Sequence, residues 1–424
     1  MLDVAAIAVQ PGTFLAVIVA AALAGAVAAA LSGRGVVIPV VVIELVFGVI
    51  LGPQVVGFHV DSFLQFFSNL GLALLFFFAG YEIDIHRISG QPLRLGLTGW
   101  VISLVLAYAL ASALWAVGVV VSVLFAGSAL MTTALGTLLP ILSDAGELKT
   151  KFGTFMLGAG AVGEFGPILV ITLVLSAQGT LHNAVILIAF IATAVAIALA
   201  SARSSVWTMP LFERTLETSS QLAVRWILVL IFALVLLAFK LGLDLLLGGF
   251  AAGLIVGHVL GDREVPLFES KLTAIAFGAF IPFFFIVSGM NLDVDALFGS
   301  VGSVLKMLLF FVLFLVVRGT PAMLLYRREL KLRDRKALAL MSSTQLPLVL
   351  AITTLAIADH HMRASTASAL IGAAVLSTLV YPILGLRLRG DIEEFEHAHV
   401  EAQVVASMSA SVEASTRAPA APRS

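Results

Sequence analysis

The sequence predicts an all-α, multi-pass membrane protein of about thirteen transmembrane helices, arranged as an inverted repeat. Three observations carry that reading. Of 424 residues, 60% are hydrophobic and only 12% charged, against about 25% charged in soluble domains. Apolar runs long enough to cross about 30 Å of hydrocarbon recur from end to end. Lys and Arg collect on alternate loops, and short motifs recur at nearly one spacing.

The spans are expected at 13–32, 35–53, 63–84, 92–117, 118–142, 153–177, 183–202, 222–240, 242–259, 268–290, 301–325, 336–357 and 364–387. Turn residues such as Gly52–Pro53 and Ser176–Gly179 separate most of them. The opening stretch MLDVAAIAVQPGTF lacks the basic region of a signal peptide, so the first apolar run is kept as a span. One set of loops carries Arg34, Arg87, Arg94, Lys149, Lys151, Arg203, Arg214, Arg225, Arg263, Lys271, the cluster from Arg327 to Lys336, and Arg387 and Arg389. The other set carries only Lys240, Lys306 and Arg363. The basic side is expected to be cytoplasmic, which places the N-terminus outside and the C-terminus inside a cell membrane. Residues 391–424, acidic and then rich in Ala, Ser and Pro, read as a disordered cytoplasmic tail.

Three motif pairs indicate the repeat. ALMTT (Ala129–Thr133) recurs as ALMSS (Ala339–Ser343), FFFAGYEID (Phe76–Asp84) as FFFIVSGMNLD (Phe283–Asp293), and FGVILG (Phe47–Gly52) as AGLIVG (Ala252–Gly257). Their offsets are 210, 207 and 205 residues. Each pair is seven spans apart, an odd number, so the partners run in opposite directions. Inverted repeats are typical of secondary transporters, which bind their cargo at broken helices near the midplane. Spans five and twelve are expected to be broken. The first holds Thr132, Thr133, Gly136 and Pro140; the second holds Ser342, Ser343, Thr344, Gln345 and Pro347. Proline interrupts the helical ladder, and freed carbonyls at membrane depth must be buried in protein or line a wet cavity. Hydroxyls and carbonyls are hard oxygen ligands suited to a small monovalent cation; otherwise they only pack and bond between helices.

Glu164 is the only Asp, Glu, Lys or Arg between Phe152 and Ala202. It lies about 18 Å into its span, at 1.5 Å per residue. An ionised carboxylate there costs about 2.5–3.5 kcal/mol on insertion scales, so it must be protonated, paired or given a cation. Burial and a neighbouring positive charge act on its titration in opposite senses, as a group occupied in turn by a proton and a metal ion requires. The other outcome is a structural glutamate. Arg318, inside span eleven, is expected to be its charge partner; the alternative is an arginine snorkelling to the inner interface. Glu44, Glu82 and Asp84 are possible modulators. Gly158, Gly160 and Gly163 spell G-x-G-x-x-G, but inside an apolar helix this is a close-packing motif and not a nucleotide loop. There is no P-loop, H-E-x-x-H or G-x-S-x-G, and no enzyme activity or cofactor is expected. No cysteine is present, which excludes thiolate chemistry. The net charge of −1 gives no sign of a nucleic-acid partner.

The stretches ELVFGVILGP (44–53), FFFAGYEIDI (76–85), TTALGTLLPILSDAGELKTKFG (132–153) and PFFFIVSG (282–289) resemble the second cation:proton antiporter family, the Kef-type sodium/hydrogen exchanger group, over roughly residues 13–387. The resemblance implies an antiporter-like fold with two crossed broken helices, and a homodimer in the lipid bilayer. It implies a dimerisation part (13–84 and 222–290), a moving core (92–177 and 301–387), and a linker helix (183–202). It also implies that Glu164 binds proton and cation in turn, with Arg318 as the basic residue of span eleven. Thr132, Thr133, Ser342, Ser343, Thr344 and Gln345 would supply further oxygens. Two departures stand out. The family usually has Asp at the position of Glu164, and Asp, Asn or Gln at that of Gly163. A single carboxylate with a fixed arginine points to electroneutral exchange of Na⁺ or K⁺ for protons. Rival readings are a sodium-coupled organic-anion symporter of the same fold, a gated channel or sensor whose glutamate sets a conformational equilibrium, and a purely structural membrane protein.

Overall fold

A computed structural model describes residues 10–32, 39–81, 83, 88–175, 180–203, 221–243, 245–260 and 266–390. Glu82, Asp84 and the tail 391–424 lie outside the described residues. The elements are helices throughout: α1 (Pro11–Ser32), α2 (Val40–Leu51), α3 (Ser62–Tyr81), α4 (Gln91–Ala116), α5 (Val123–Leu130), α6 (Leu135–Asp144), α7 (Lys151–Leu175), α8 (Thr180–Arg203) and α9 (Leu222–Lys240). They continue with α10 (Leu245–Leu260), α11 (Pro266–Ile275), α12 (Ile281–Met290), α13 (Val294–Phe298), α14 (Val301–Leu325), α15 (Leu332–Ser342), α16 (Pro347–Ala358) and α17 (Ala364–Arg389). Among the described residues nine helical stretches are long and apolar enough to cross a membrane, and four shorter apolar ones complete the predicted set of spans.

Where structure and expectation differ, backbone hydrogen bonding gives the reason. Span five is broken, as expected, between α5 and α6, and Pro140 lies within α6. The break is stable there because its freed donors find acceptors elsewhere: Thr133 N donates to the Gly163 carbonyl at 3.1 Å and Ala134 N to the Thr344 carbonyl at 2.8 Å. Span twelve breaks as expected, with Pro347 opening α16, where its missing N–H costs nothing. Span ten, expected to be continuous, contains a π turn at Ala276–Phe280 in which Ile281 N reaches back to the Ala276 carbonyl. Pro282 follows directly and has no N–H to continue the normal ladder. The short α13 was not expected; Asp293 caps it by accepting from Ala296 N at 2.8 Å.

The helices form two bundles. In one, α2 and α3 pack on α12, α3 on α10, α10 on α9, and α1 on α2 and α12. Phe76, Phe77, Phe250 and Phe285 fill this bundle and are fully buried. In the other, α4 packs on α5, α7 and α14, while α14, α15 and α17 pack on one another. Helix α5 touches α16 and α7 touches α15. Helix α8 contacts both α7 and α10. Close approach of α4 and α7 depends on glycine: a Cβ on Gly158 would stand 2.9 Å from the Pro92 carbonyl oxygen.

Charged side chains staple one end of the second bundle. Arg389, ending α17, takes both carboxylate oxygens of Glu147 at 2.8 and 3.0 Å, bonds Asp334 of α15, and lies 4.6 Å over the Phe152 ring. Such bidentate, partly buried pairing is stronger than an exposed ion pair. Nearby, Glu329 meets Lys151 at 2.9 Å and accepts from Gln91 at 2.6 Å. Arg389→Gln should therefore lower thermal stability in detergent by the equivalent of about 1–3 kcal/mol, because Glu147 loses its hydrogen-bonded partner. Lys151, with Gln91, holds the Glu329 carboxyl below the ordinary glutamate range. A depressed carboxylate adds stability above its unfolded value and loses it as pH falls through its folded value. The difference in thermal midpoint between wild type and Glu329→Gln should thus be present at neutral pH and fade in acid below about pH 4.

Candidate functional site

The two broken helices cross at their breaks. Thr132 Oγ1 donates to Gln345 Oε1 at 2.9 Å, and Gln345 Nε2 donates to the Leu130 carbonyl at 3.2 Å. Thr133 Oγ1 donates to the Ser342 carbonyl at 2.6 Å. With the backbone bond from Ala134 to Thr344, each break thus satisfies part of the other's unpaired backbone. Thr132, Thr133, Ser342, Ser343, Thr344, Gln345 and Glu164 are all buried. The structure therefore gathers the two predicted polar clusters into one crossing.

The individual residues do different things there. The Ser343 hydroxyl donates to Ala339 of its own helix at 2.6 Å, as a packing serine does. Ser342 Oγ makes longer contacts, 3.3 Å to the Ala339 carbonyl and 3.4 Å to that of Arg318. Thr344 Oγ1 is buried with no hydrogen-bond partner, and Glu164 Oε2 is likewise unpartnered. Both are hard oxygens, and buried oxygens without partners are rare in native structures. Glu164 follows Gly163, whose carbonyl anchors the first break. The backbone N–H groups of Leu135 and Gly136, the first two residues of α6, lie near its carboxyl group. The N-terminus of a helix carries partial positive charge and unused donors, which offsets part of the cost of burying a carboxylate there.

Arg318 corrects the sequence expectation. It makes no ion pair with Glu164; among the described residues the ion pairs are Lys151–Glu329, Arg389–Glu147 and Arg389–Asp334. Instead its Nε donates to Thr133 Oγ1 at 2.9 Å and to the Ser342 carbonyl at 3.4 Å. One terminal nitrogen donates to Ser103 Oγ at 3.3 Å and the other to the Ala159 carbonyl at 3.0 Å. Ser342 ends α15, so the guanidinium faces the negative end of a helix. It is buried and does not snorkel. Its position also accounts for Gly163: a Cβ there would run into the guanidinium and stand 2.7 Å from Thr133 Oγ1.

Three residues of the site were missed from sequence. Ser103 on α4 accepts from Arg318 and donates to the Val317 carbonyl at 2.9 Å. Ser377 and Thr378 on α17 bond the Gln345 backbone at 3.0–3.2 Å. Lone hydroxyls in apolar spans were the available signal, and many such hydroxyls only bond their own helix. Glu44 is buried on α2, in the other bundle, and has no part in the crossing. Among the described residues no cluster of three His, Cys, Asp or Glu exists that would hold a multivalent metal. Thr133→Val, which keeps volume but removes the hydroxyl shared by Arg318 and Ser342, should cost about 1–3 kcal/mol in thermal unfolding, and Thr133→Ser should recover most of it.

Two broken helices crossing beside a buried carboxylate, within an inverted repeat, are the architecture of a secondary transporter. The chain belongs to the sodium/hydrogen exchanger transmembrane family, whose model matches residues 17–385. It is 28% identical over 281 residues to the Na(+)/H(+)-K(+) antiporter GerN of Bacillus cereus, covering 63% of this chain and 69% of that one. It is 28% identical over 344 residues to the Na(+)/H(+) antiporter NhaS5 of Synechocystis, covering 80% of this chain and 48% of the relative. Its fold matches the sodium proton antiporter MjNhaP1 of Methanocaldococcus jannaschii with a TM-score of 0.64 at 15% identity, over 89% of this chain and 99% of the other.

Proposed function

We propose that this protein exchanges a monovalent cation, Na⁺ or K⁺, for protons across a cell membrane, with both ions competing for Glu164. The observation that carries this reading is the buried, unpartnered Oε2 of Glu164 beside the crossing of the two broken helices. A carboxylate buried beside the start of a helix still has an open coordination position. A proton fills it, or a cation does, with the unpartnered Thr344 Oγ1 and crossing carbonyls as further hard oxygens. Relatives named as Na(+)/H(+) and K(+)/H(+) antiporters support the same cargo.

The bundle containing the crossing would be the moving core, and the bundle of α1–α3 and α9–α12 the dimerisation part, with α8 between them. The division of helix packing into two groups supports this assignment; the homodimer rests on the family resemblance. The charge on Arg318 is tied into four residues and does not change during exchange, so one carboxylate handling one proton or one cation gives electroneutral transport. The excess of Lys and Arg on one set of loops supports a cytoplasmic C-terminus.

The test is reconstitution in liposomes with a pH-sensitive dye, adding Li⁺, Na⁺, K⁺ or Rb⁺. Cation-driven dye recovery is expected in wild type and should be abolished in Glu164→Gln; equal signals from both would overturn the role of Glu164. Because a proton must leave before a cation binds, the apparent KM for the cation should rise by about tenfold for each unit by which the pH falls once the proton-bound form dominates, as linkage of a single proton requires. A pH-independent KM would exclude a shared site.

A further inference from the structure

Behind the crossing lies a small cavity lined by Gly96, Gly99, Arg318, Tyr326 and Ser342, among others. Its volume is about 10 Å³, which approaches the space that one water molecule occupies. Arg318, Tyr326 and Ser342 bring polar side chains to a lining that is otherwise Gly, Ala, Pro and Leu. Tyr326 sits two helical turns beyond Arg318, and its hydroxyl is buried with no hydrogen-bond partner. The ring is fixed edge-on against Phe155, with centroids 5.5 Å apart. A guanidinium has five N–H donors. Protein acceptors engage Nε and one donor on each terminal nitrogen, so each terminal nitrogen keeps one N–H to spare. The carbonyl of Ala159, another lining residue, retains a second lone pair.

Buried donors of this kind are costly unless something receives them. We propose that the cavity binds a single water molecule, which bridges the Tyr326 hydroxyl and the spare N–H groups of Arg318. Water suits the lining better than a cation, because the guanidinium is positive, and the space is too small for an organic ligand. Through this water Tyr326 is a positioning residue. It holds Arg318 from the side away from Thr133, and Arg318 in turn holds the Thr133 hydroxyl at the crossing. The glycines make the room: a Cβ on Gly99 would stand 3.3 Å from Pro321 Cβ and 3.6 Å from Leu325 Cδ1, so Gly99→Ala fits with slight adjustment while narrowing the cavity.

The transport arm of the test rests on the exchange reading given above, and the structural arm does not. Tyr326→Phe removes the hydroxyl; Gly99→Ala displaces the water and leaves the hydroxyl in place. In liposomes each should raise the apparent KM for the cation by about three- to tenfold, the effect of losing one water-mediated hydrogen bond, with a smaller change in maximal rate. The double variant should be no worse than either single one, because both remove the same bridge. An unchanged KM in both single variants, or fully additive effects, would overturn the proposal. Independently, a density map sharp enough to show ordered water should show one peak between Tyr326 Oη and Arg318 in wild type and none in Gly99→Ala. A map with that space empty, or a halide peak there from bromide-soaked crystals, would also overturn it. A wild-type protein that moves no cation would sink the exchange reading, leaving the map to decide the water.

Discussion

The structure depends on how the ends of two broken helices are neutralised inside a membrane. Each break leaves backbone donors and acceptors that no lipid can satisfy, and adds helix-end charge of either sign. The protein answers with two charged side chains on separate duties. Glu164 faces the N–H groups that open α6. Arg318 faces the carbonyl that closes α15 and the hydroxyl of Thr133. Each charge is matched to a helix end and not to the other charge. That division is what leaves an oxygen of Glu164 unclaimed: a carboxylate bound bidentately by arginine would have little capacity left for cargo.

Such an arrangement needs backbones unusually close together. The G-x-G-x-x-G stretch of α7 supplies three small positions that meet three different neighbours. Gly158 meets α4 at Pro92, Gly160 meets the Leu135 side chain, and Gly163 meets Thr133 and Arg318. The last of these links the motif to the site directly. The space that a polar side chain would occupy beside the carboxylate is taken here by the guanidinium, so glycine at 163 and the inward reach of Arg318 are one structural decision.

Much of this was legible in the sequence, for reasons that are local. The number of spans follows from apolar length alone, and Leu222–Lys240 and Val301–Leu325 have the boundaries that the hydropathy pattern predicts. Glu164 stood out because nothing else charged lies near it in the chain. The clusters Thr132–Thr133 and Ser342–Gln345 were legible because the repeat sets them in equivalent places. What was not legible depends on contacts between distant segments. That span five is broken was legible, but not where: the break falls where Thr133 and Ala134 can give their N–H groups to Gly163 and Thr344. Arg318 looked like a partner for Glu164 because its long side chain can cover the difference in depth between them. Depth along a span does not say which way a side chain turns, and the hydroxyls of Ser103 and Thr133, with two carbonyls, claim it first.

The separation of the two charges bears on coupling. Under the exchange reading, a mobile arginine that paired with Glu164 in one state and released it in another would itself compete with the cargo. Here the guanidinium is bonded to α4, α7, α15 and the α5–α6 break together, so moving it would disturb four elements at once. Its partners are neutral hydroxyls and carbonyls, so losing any one of them leaves a buried ionic N–H unsatisfied. Under that reading Arg318 is the fixed part of the site and Glu164 the variable part. With Arg318 fixed at one positive charge, the proton-bound and cation-bound sites carry the same net charge, so trading one occupant for the other moves none; the empty site differs from both by one charge and leaves its carboxylate bare. The cost of burying that state is a physical reason for proton and cation to take turns without leaving the position vacant.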